Sequence, residues 1–156
     1  MNNLFLSKYI NSLDKKLRVS VPSQYRTILS NQMDEDEEFK GIVAYRSIRN
    51  KSIEACSLKR IHKLYSMINE LDPYSEERDA FETMIFGGSF QLAFDKEGRV
   101  SLPDELIEHA GFDSQICFVG KGEVFEMWNL EEFENYSKLA TAKAVSNRNM
   151  LGARNI

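Results

Sequence analysis

Leu13-Asp14-Lys15-Lys16-Leu17-Arg18-Val19-Ser20-Val21-Pro22 and Phe94-Asp95-Lys96-Glu97-Gly98-Arg99-Val100-Ser101-Leu102-Pro103 are two versions of one segment. Six of the nine positions from aspartate to proline are identical at a fixed offset of 81. That is too many for accident, so the chain reads as an internal duplication. Each copy predicts strand, tight turn, strand, helix. The aspartate starts the turn because its carboxylate accepts backbone N–H bonds within it, and Gly98 suits a position with positive φ. Arg-Val-Ser then alternates outward and inward side chains at period two, and the proline ends the ladder while opening a helix. Working outward, an apolar run precedes each copy (residues 4–10 and 90–94) and a short amphipathic helix follows (residues 23–30 and 104–110). A hairpin plus a helix is the expected unit.

Beyond the repeats, strands are expected at residues 41–45 and 52–56, matched in the second half by 115–119 and 123–128. Gly120-Lys121-Gly122 reads as the turn between the last two, since it lacks the Gly-x-x-x-x-Gly-Lys-Ser/Thr spacing of a phosphate loop. Ser57 and Asn129 are expected N-caps, Asn129 with Glu132 in an N-x-x-E pattern. Ile61, Leu64, Tyr65, Ile68 and Leu71 recur at helical spacing. Phe81, Met84 and Ile85 do so in a segment opened by Asp72-Pro73 and closed by Gly87-Gly88, which together predicts a helical hairpin over residues 57–86. Asp34-Glu35-Asp36-Glu37-Glu38 reads as a solvated loop. The tail carries Lys138, Lys143, Arg148 and Arg154 without an acid and is expected to fray after Ser146.

With 42% hydrophobic and 28% charged residues, the composition is that of an ordinary globular chain, which argues against both wholesale disorder and a membrane class. No basic leader precedes a sustained apolar run and no eighteen apolar residues occur together, so a soluble, cytoplasmic protein is expected. Cys56 and Cys117 sit in apolar stretches without a C-x-x-C partner and read as buried structural thiols. His62 and His109 have no metal partner at useful spacing. Ser20 and Ser101 lack a Gly-x-Ser-x-Gly elbow. Asp72, Glu76, Glu77 and Asp79 crowd a helix start, where the dipole favours acids without any catalytic role. No enzyme, metal, cofactor or small-molecule substrate is expected.

A net charge of −4 opposes nucleic-acid binding, but it is unevenly spread. Residues 1–30 carry Lys8, Lys15, Lys16, Arg18 and Arg26 against Asp14 alone, whereas residues 104–134 carry nine acids against Lys121. Arg18, Lys16, Lys15 and Lys8 in the first copy, with Arg99 and Lys96 in the second, are the candidate DNA-binding residues. Asp14, Asp95 and Gly98 are expected to shape the turns. A β-ribbon fits the major groove, where an arginine can bond guanine O6 and N7 while lysines hold phosphates. The competing reading makes Arg18 and Arg99 local braces for Asp14 and Asp95. About four phosphate contacts per protomer imply a log–log salt slope near −3.6 and weak binding alone, which repetition around an assembly would raise by about 10² to 10⁴.

Asp14 with Arg18 and Asp95 with Arg99 form two Asp-x-x-x-Arg motifs. With Leu71-Asp72-Pro73, Glu77-Arg78, Gly87-Gly88, His109-Ala110-Gly111, Phe118-Val119-Gly120-Lys121 and Phe125-Glu126-Met127-Trp128-Asn129, the chain resembles the MraZ family over nearly its whole length, the acidic loop and last few residues excepted. The resemblance implies an α+β fold: two tandem AbrB-like swapped-hairpin units forming a pseudo-twofold β-barrel core, with a helical hairpin and a C-terminal helix. The boundaries it implies are 1–56 for the first unit, 57–88 for the bridging hairpin, 89–129 for the second unit and 130–156 for the helix and tail. It further implies a transcriptional regulator, usually a repressor. Such a regulator is a ring-shaped homo-oligomer on double-stranded DNA, at direct repeats in the promoter of its own division and cell-wall operon. That places it at the nucleoid, with no membrane partner. On this view the first copy is the main DNA face, and the second copy with the helical hairpin is the assembly surface.

One departure stands out. The turn that usually reads Lys-Gly-Arg is Lys16-Leu17-Arg18, and leucine at positive φ would store about 1 to 3 kcal/mol, so a rearranged first turn is expected. Two rival functions remain: a non-catalytic oligomeric scaffold, and an antitoxin-like AbrB-superfamily protein whose C-terminal region neutralises a toxin. The second needs a disordered tail, whereas residues 130–146 read as helix.

Overall fold

The computed structural model describes residues 2–152, and Arg154 lies outside them. The chain is a mixed α+β fold. Its strands are β1 (Lys8–Ser12), β2 (Arg18–Ser20), β3 (Gly41–Arg46), β4 (Ile53–Cys56), β5 (Phe90–Ala93), β6 (Arg99–Ser101), β7 (Gln115–Gly120) and β8 (Phe125–Asn129). Its α-helices are α1 (Ser23–Asn31), α2 (Leu58–Ile68), α3 (Glu76–Phe81), α4 (Asp104–Ala110) and α5 (Leu130–Ser146). One six-stranded antiparallel sheet runs β1-β7-β8-β4-β3-β5, and β2 pairs with β6 in a separate two-stranded ribbon.

Read from either end, the sheet order exchanges the halves: β1 of the first half lies on β7 of the second, and β5 of the second lies on β3 of the first. The hairpin expected within each repeat is therefore corrected. The strand before each Asp-x-x-x-Arg turn and the strand after it find partners in the opposite half. Alternation in a sequence fixes which face a residue takes but not which strand it meets.

Both sheet faces are covered. The inner face joins α1, α4 and the β2–β6 ribbon in the main core, where Val19, Val21, Val100 and Leu102 meet Ile42, Ile53, Ile116 and Phe118. On the outer face, Tyr45 and Cys56 pack against Ile68 of α2 and Ile85 beyond α3, while Cys117, Val119 and Trp128 pack against Phe133 of α5. Burial pushes the Cys56 thiol up to about 12 and raises Cys117 as well, consistent with two inert core thiols.

The helix ends follow local chemistry. Ser57 accepts the Arg60 amide at 3.1 Å and Asn129 accepts the Glu132 amide at 3.1 Å, so both expected N-caps form. Asp72-Pro73 does not open the next helix. Asp72 instead closes a turn by accepting the Tyr74 amide at 2.9 Å, and Ser75 caps α3. The helix then widens into a π-turn, Glu82–Phe86, and stops at Gly87. The tail does not fray directly after Ser146: Arg148–Leu151 form a 3₁₀ turn.

Tyr25 of α1 sits at the centre of the main core. Its ring meets Phe5, Tyr9, Phe118 and Phe125 with centroid distances of 4.9 to 6.4 Å. Its hydroxyl donates to the Ser7 carbonyl at 2.7 Å, and burial raises its ionisation far above the usual tyrosine range. Ser7 holds φ 74, a left-handed conformation that serine adopts only under constraint, and its carbonyl also accepts the Gly120 amide at 2.9 Å.

Candidate nucleic-acid interface

The two Asp-x-x-x-Arg turns are near-copies in space. In the first, Asp14 Oδ1 accepts the Lys16 and Arg18 amides, each at 2.9 Å, and Oδ2 accepts Arg18 Nε at 2.9 Å. In the second, Asp95 Oδ1 accepts the Glu97 and Arg99 amides at 2.9 Å and Oδ2 accepts Arg99 Nε at 2.8 Å. The Leu17 and Gly98 amides close them on Asp14 and Asp95 carbonyls at 3.0 and 3.1 Å. The first turn is thus not rearranged. Leu17 takes φ 62 where Gly98 takes φ 76, because the carboxylate bonds on both sides of it dictate the backbone more strongly than leucine resists it.

These bonds set the charge state of the turns. The Arg18 amide, with the Arg18 guanidinium and the Lys16 amide, holds the Asp14 carboxyl below the ordinary aspartate range. The Arg99 amide, its guanidinium and the Glu97 amide do the same for Asp95, and Asp95 in turn raises Arg99. Carboxyls depressed in the folded state stabilise it above their unfolded value and lose that contribution as pH falls through the folded one. Protection of the Lys16 and Arg18 amides, taken relative to the intrinsic exchange rate at each pH, should therefore hold from neutral pH to pH 5 and fall only below about 3.9. Loss of protection by pH 5 would contradict this.

The β2–β6 ribbon brings the two turns together. Its register sets Arg18 opposite Ser101, Val19 opposite Val100 and Ser20 opposite Arg99. The valines point into the core and the other four side chains share the outer face. Two residues along and one strand across puts the arginine Cα atoms about 8 Å apart. Lys15, Lys16 and Lys96 stand on the same turns, so five cations face three acids here on a chain of net charge −4.

The arginines differ in what remains free. Among the described residues the Arg18 guanidinium is bonded only through its Nε, which leaves both terminal nitrogens without a partner, whereas an Arg99 terminal nitrogen is held by Glu97 Oε2 at 2.9 Å. The local brace proposed from the sequence forms in both copies. In the first it fixes the guanidinium's orientation without occupying its end.

Lys8 stands apart. It lies six residues before Asp14, about 20 Å along the strand, with its ammonium 5.6 Å from the Phe133 ring on the outer face. Arg26 is a residue the sequence reading counted for charge but did not place. From α1 it reaches over the opposite turn, its Nε donating to the Val21 carbonyl at 3.1 Å and its guanidinium lying where a Cβ on Gly98 would come within 2.5 Å of Cζ. Gly98→Ala should cost about 1 kcal/mol in urea unfolding, from the positive φ, and should shift Arg26. An unchanged midpoint would refute that.

Two other polar clusters stay separate from the ribbon. Glu126, fully buried, accepts Trp128 Nε1 at 3.0 Å and faces Arg49 at 3.3 Å. Glu123 bridges Arg60 and Lys63 at 2.6 Å each. Among the described residues no group of three or more His, Cys, Asp or Glu is placed to hold a metal, and no helix is long and apolar enough to cross a membrane.

A duplicated α+β chain whose paired Asp-x-x-x-Arg turns are joined through a shared antiparallel ribbon, with one cationic face, is the class that this geometry defines. The chain belongs to the MraZ family. It is 56% identical over 151 residues to the transcriptional regulator MraZ of Rickettsia canadensis (strain McKiel), covering 94% of this chain and 98% of that one. It is 54% identical over 153 residues to the regulator of the same name from Rickettsia africae (strain ESF-5), covering 98% of each chain. With that of Rickettsia typhi (strain ATCC VR-144 / Wilmington) it shares 53% over 154 residues, 99% of each. The family model described as "MraZ protein, putative antitoxin-like" matches residues 85–151.

Proposed function

We propose that this protein is a sequence-specific DNA-binding transcriptional regulator, without catalytic activity, that represses its own division and cell-wall operon by binding direct promoter repeats as a ring-shaped oligomer at the nucleoid. The observation that carries the reading is the β2–β6 ribbon: two braced arginines on one outward face, with Lys15, Lys16 and Lys96 beside them. We read the exchange of leading strands as the swapped hairpin of AbrB-like units, closed into a pseudo-twofold barrel, with 1–56 and 89–129 as the units, 57–88 as the bridge and 130–156 as the C-terminal helix and tail. The names of the relatives support the regulatory role.

Arg18, with its Nε on Asp14, keeps both terminal nitrogens unengaged, the pair that would reach guanine O6 and N7 together. Lys15, Lys16 and Lys96 neutralise phosphates. Arg99, part-occupied by Glu97, is the weaker reader, so the first copy leads. Lys8, on the outer face, would contribute at most a distant phosphate contact. Each protomer binds weakly alone, and a row of repeats turns later contacts into intramolecular ones. The test is titration of the purified protein onto its own upstream region across a salt series, with light scattering in parallel. Binding without a salt slope, and equal for wild type and Arg18→Ala, would favour the scaffold instead. The antitoxin reading fits less well, because α5 is a capped helix of 17 residues and not an extended chain.

A further inference from the structure

We propose that the acidic, aromatic tip of the α2–α3 hairpin docks onto the basic outer half of α5 in a second copy of this chain, making the contact between neighbouring subunits head to tail. The inference rests on the assembly reading above and names the surfaces that would build it.

Among the described residues, two surfaces have no partner within the protomer. The first is α5 after Ser137. Its first half packs through Phe133 and Tyr136 against Trp128, but every residue from Lys138 to Gly152 is exposed. A free helical stretch this short is marginal in water, so it needs a surface to lie on. Leu139 and Met150 are 73% and 83% exposed, and Tyr136, Leu139, Ala140, Lys143 and Ala144 line one continuous groove along the helix. The only charges between 138 and 151 are Lys138, Lys143 and Arg148.

The second surface is the hairpin tip. Tyr74, at the turn between α2 and α3, is 95% exposed, and Met67 and Leu71, close to it in the chain, are also exposed. From 64 to 82 there are six acids against Arg78 alone. Arg78 is turned inward, its guanidinium donating to the Leu71 carbonyl at 3.1 Å and to Asn69 Oδ1 at 2.5 Å, so it neutralises little of the outer surface and holds the tip rigid. An exposed tyrosine on a fixed turn is the kind of anchor that carries interface energy.

The surfaces therefore match in both respects: an aromatic knob on a segment rich in acids, and an apolar groove that contains Ala140, Ala144 and Lys143 on a segment whose only charges are cations. Phosphate would match the cations but would have no use for Leu139, Val145 and Met150, which favours protein over DNA as the occupant. Because the two patches differ, the contact is heterologous, and repeated application closes a ring or grows a filament.

Size-exclusion light scattering of the full chain tests this with Tyr74→Ala and Leu139→Asp, both at exposed sites, with circular dichroism confirming that each is folded. Each variant alone should dissociate at concentrations at least about tenfold above wild type. Mixed one to one, each supplies the surface the other lacks, and the mixture should form a heterodimer that grows no further. Variants that assemble like wild type would overturn this interface while leaving the assembly reading intact. A wild-type chain that stays single would overturn both. If Leu139→Asp left assembly unchanged but weakened binding to a single DNA repeat, α5 would be a DNA contact and the inference would fail.

Discussion

Glutamine at both Arg18 and Arg99 should lower affinity for the protein's own upstream promoter by at least about 30-fold, from two lost contacts of about 1 to 3 kcal/mol each. The salt slope should change little, because the lysines that neutralise phosphates are still in place. Stability should barely move. Each arginine is about a quarter exposed and its pair with aspartate is a solvent-screened surface ion pair that contributes little, while the amide bonds that shape the turns survive the substitution. Arg18→Gln alone should account for most of the loss, since Arg99 is partly engaged by Glu97. Fluorescence anisotropy across a salt series separates the two single variants. Wild-type affinity in the double variant would remove the ribbon from the DNA face altogether.

The second large effect concerns the core. Tyr25→Ala should destabilise the protein by about 3 to 5 kcal/mol, the range for truncating a fully buried large aromatic. Tyr25→Phe keeps the packing and removes only the hydroxyl that holds Ser7, at about 1 kcal/mol. The ring touches β1, β7 and β8, so strands from both halves should be lost in one transition. Two separated unfolding steps in Tyr25→Ala, read by tryptophan fluorescence and circular dichroism, would show that the halves are independent.

Much of this was legible in the residues. The repeat located both turns and the helices that follow them, because Asp, Gly and Pro act locally and need no knowledge of the rest of the chain. Ser57 and Asn129 were visible as caps for the same reason. The β7–β8 pair was visible through the turn between its strands, but the partners of the strands flanking each repeat turn were not, since β1 carries no mark that says β7. Leu17 misled because its preference was weighed alone, whereas the Asp14 carboxylate bonds the amides on either side of it. Arg26 was missed because its contact is with the other half of the chain. The offset of 81 held the only signal: it sets Gly98 against Leu17, and Ile107 against Arg26. A bare glycine in one copy is matched to a long cation, where the other copy has two aliphatic residues.

The exchange of leading strands has a consequence for synthesis. Lys8 is hydrogen-bonded into register with Val119, and Arg18 with Ser101, so a nascent chain on the ribosome has no place to put its first strand until most of the sequence has emerged. At about 5 to 20 residues per second that wait is on the order of ten seconds. The cation-rich first segment spends it without a formed ribbon. Under the proposed function, a truncated translation product would carry the cations but not the geometry, and only a finished polypeptide would compete for DNA.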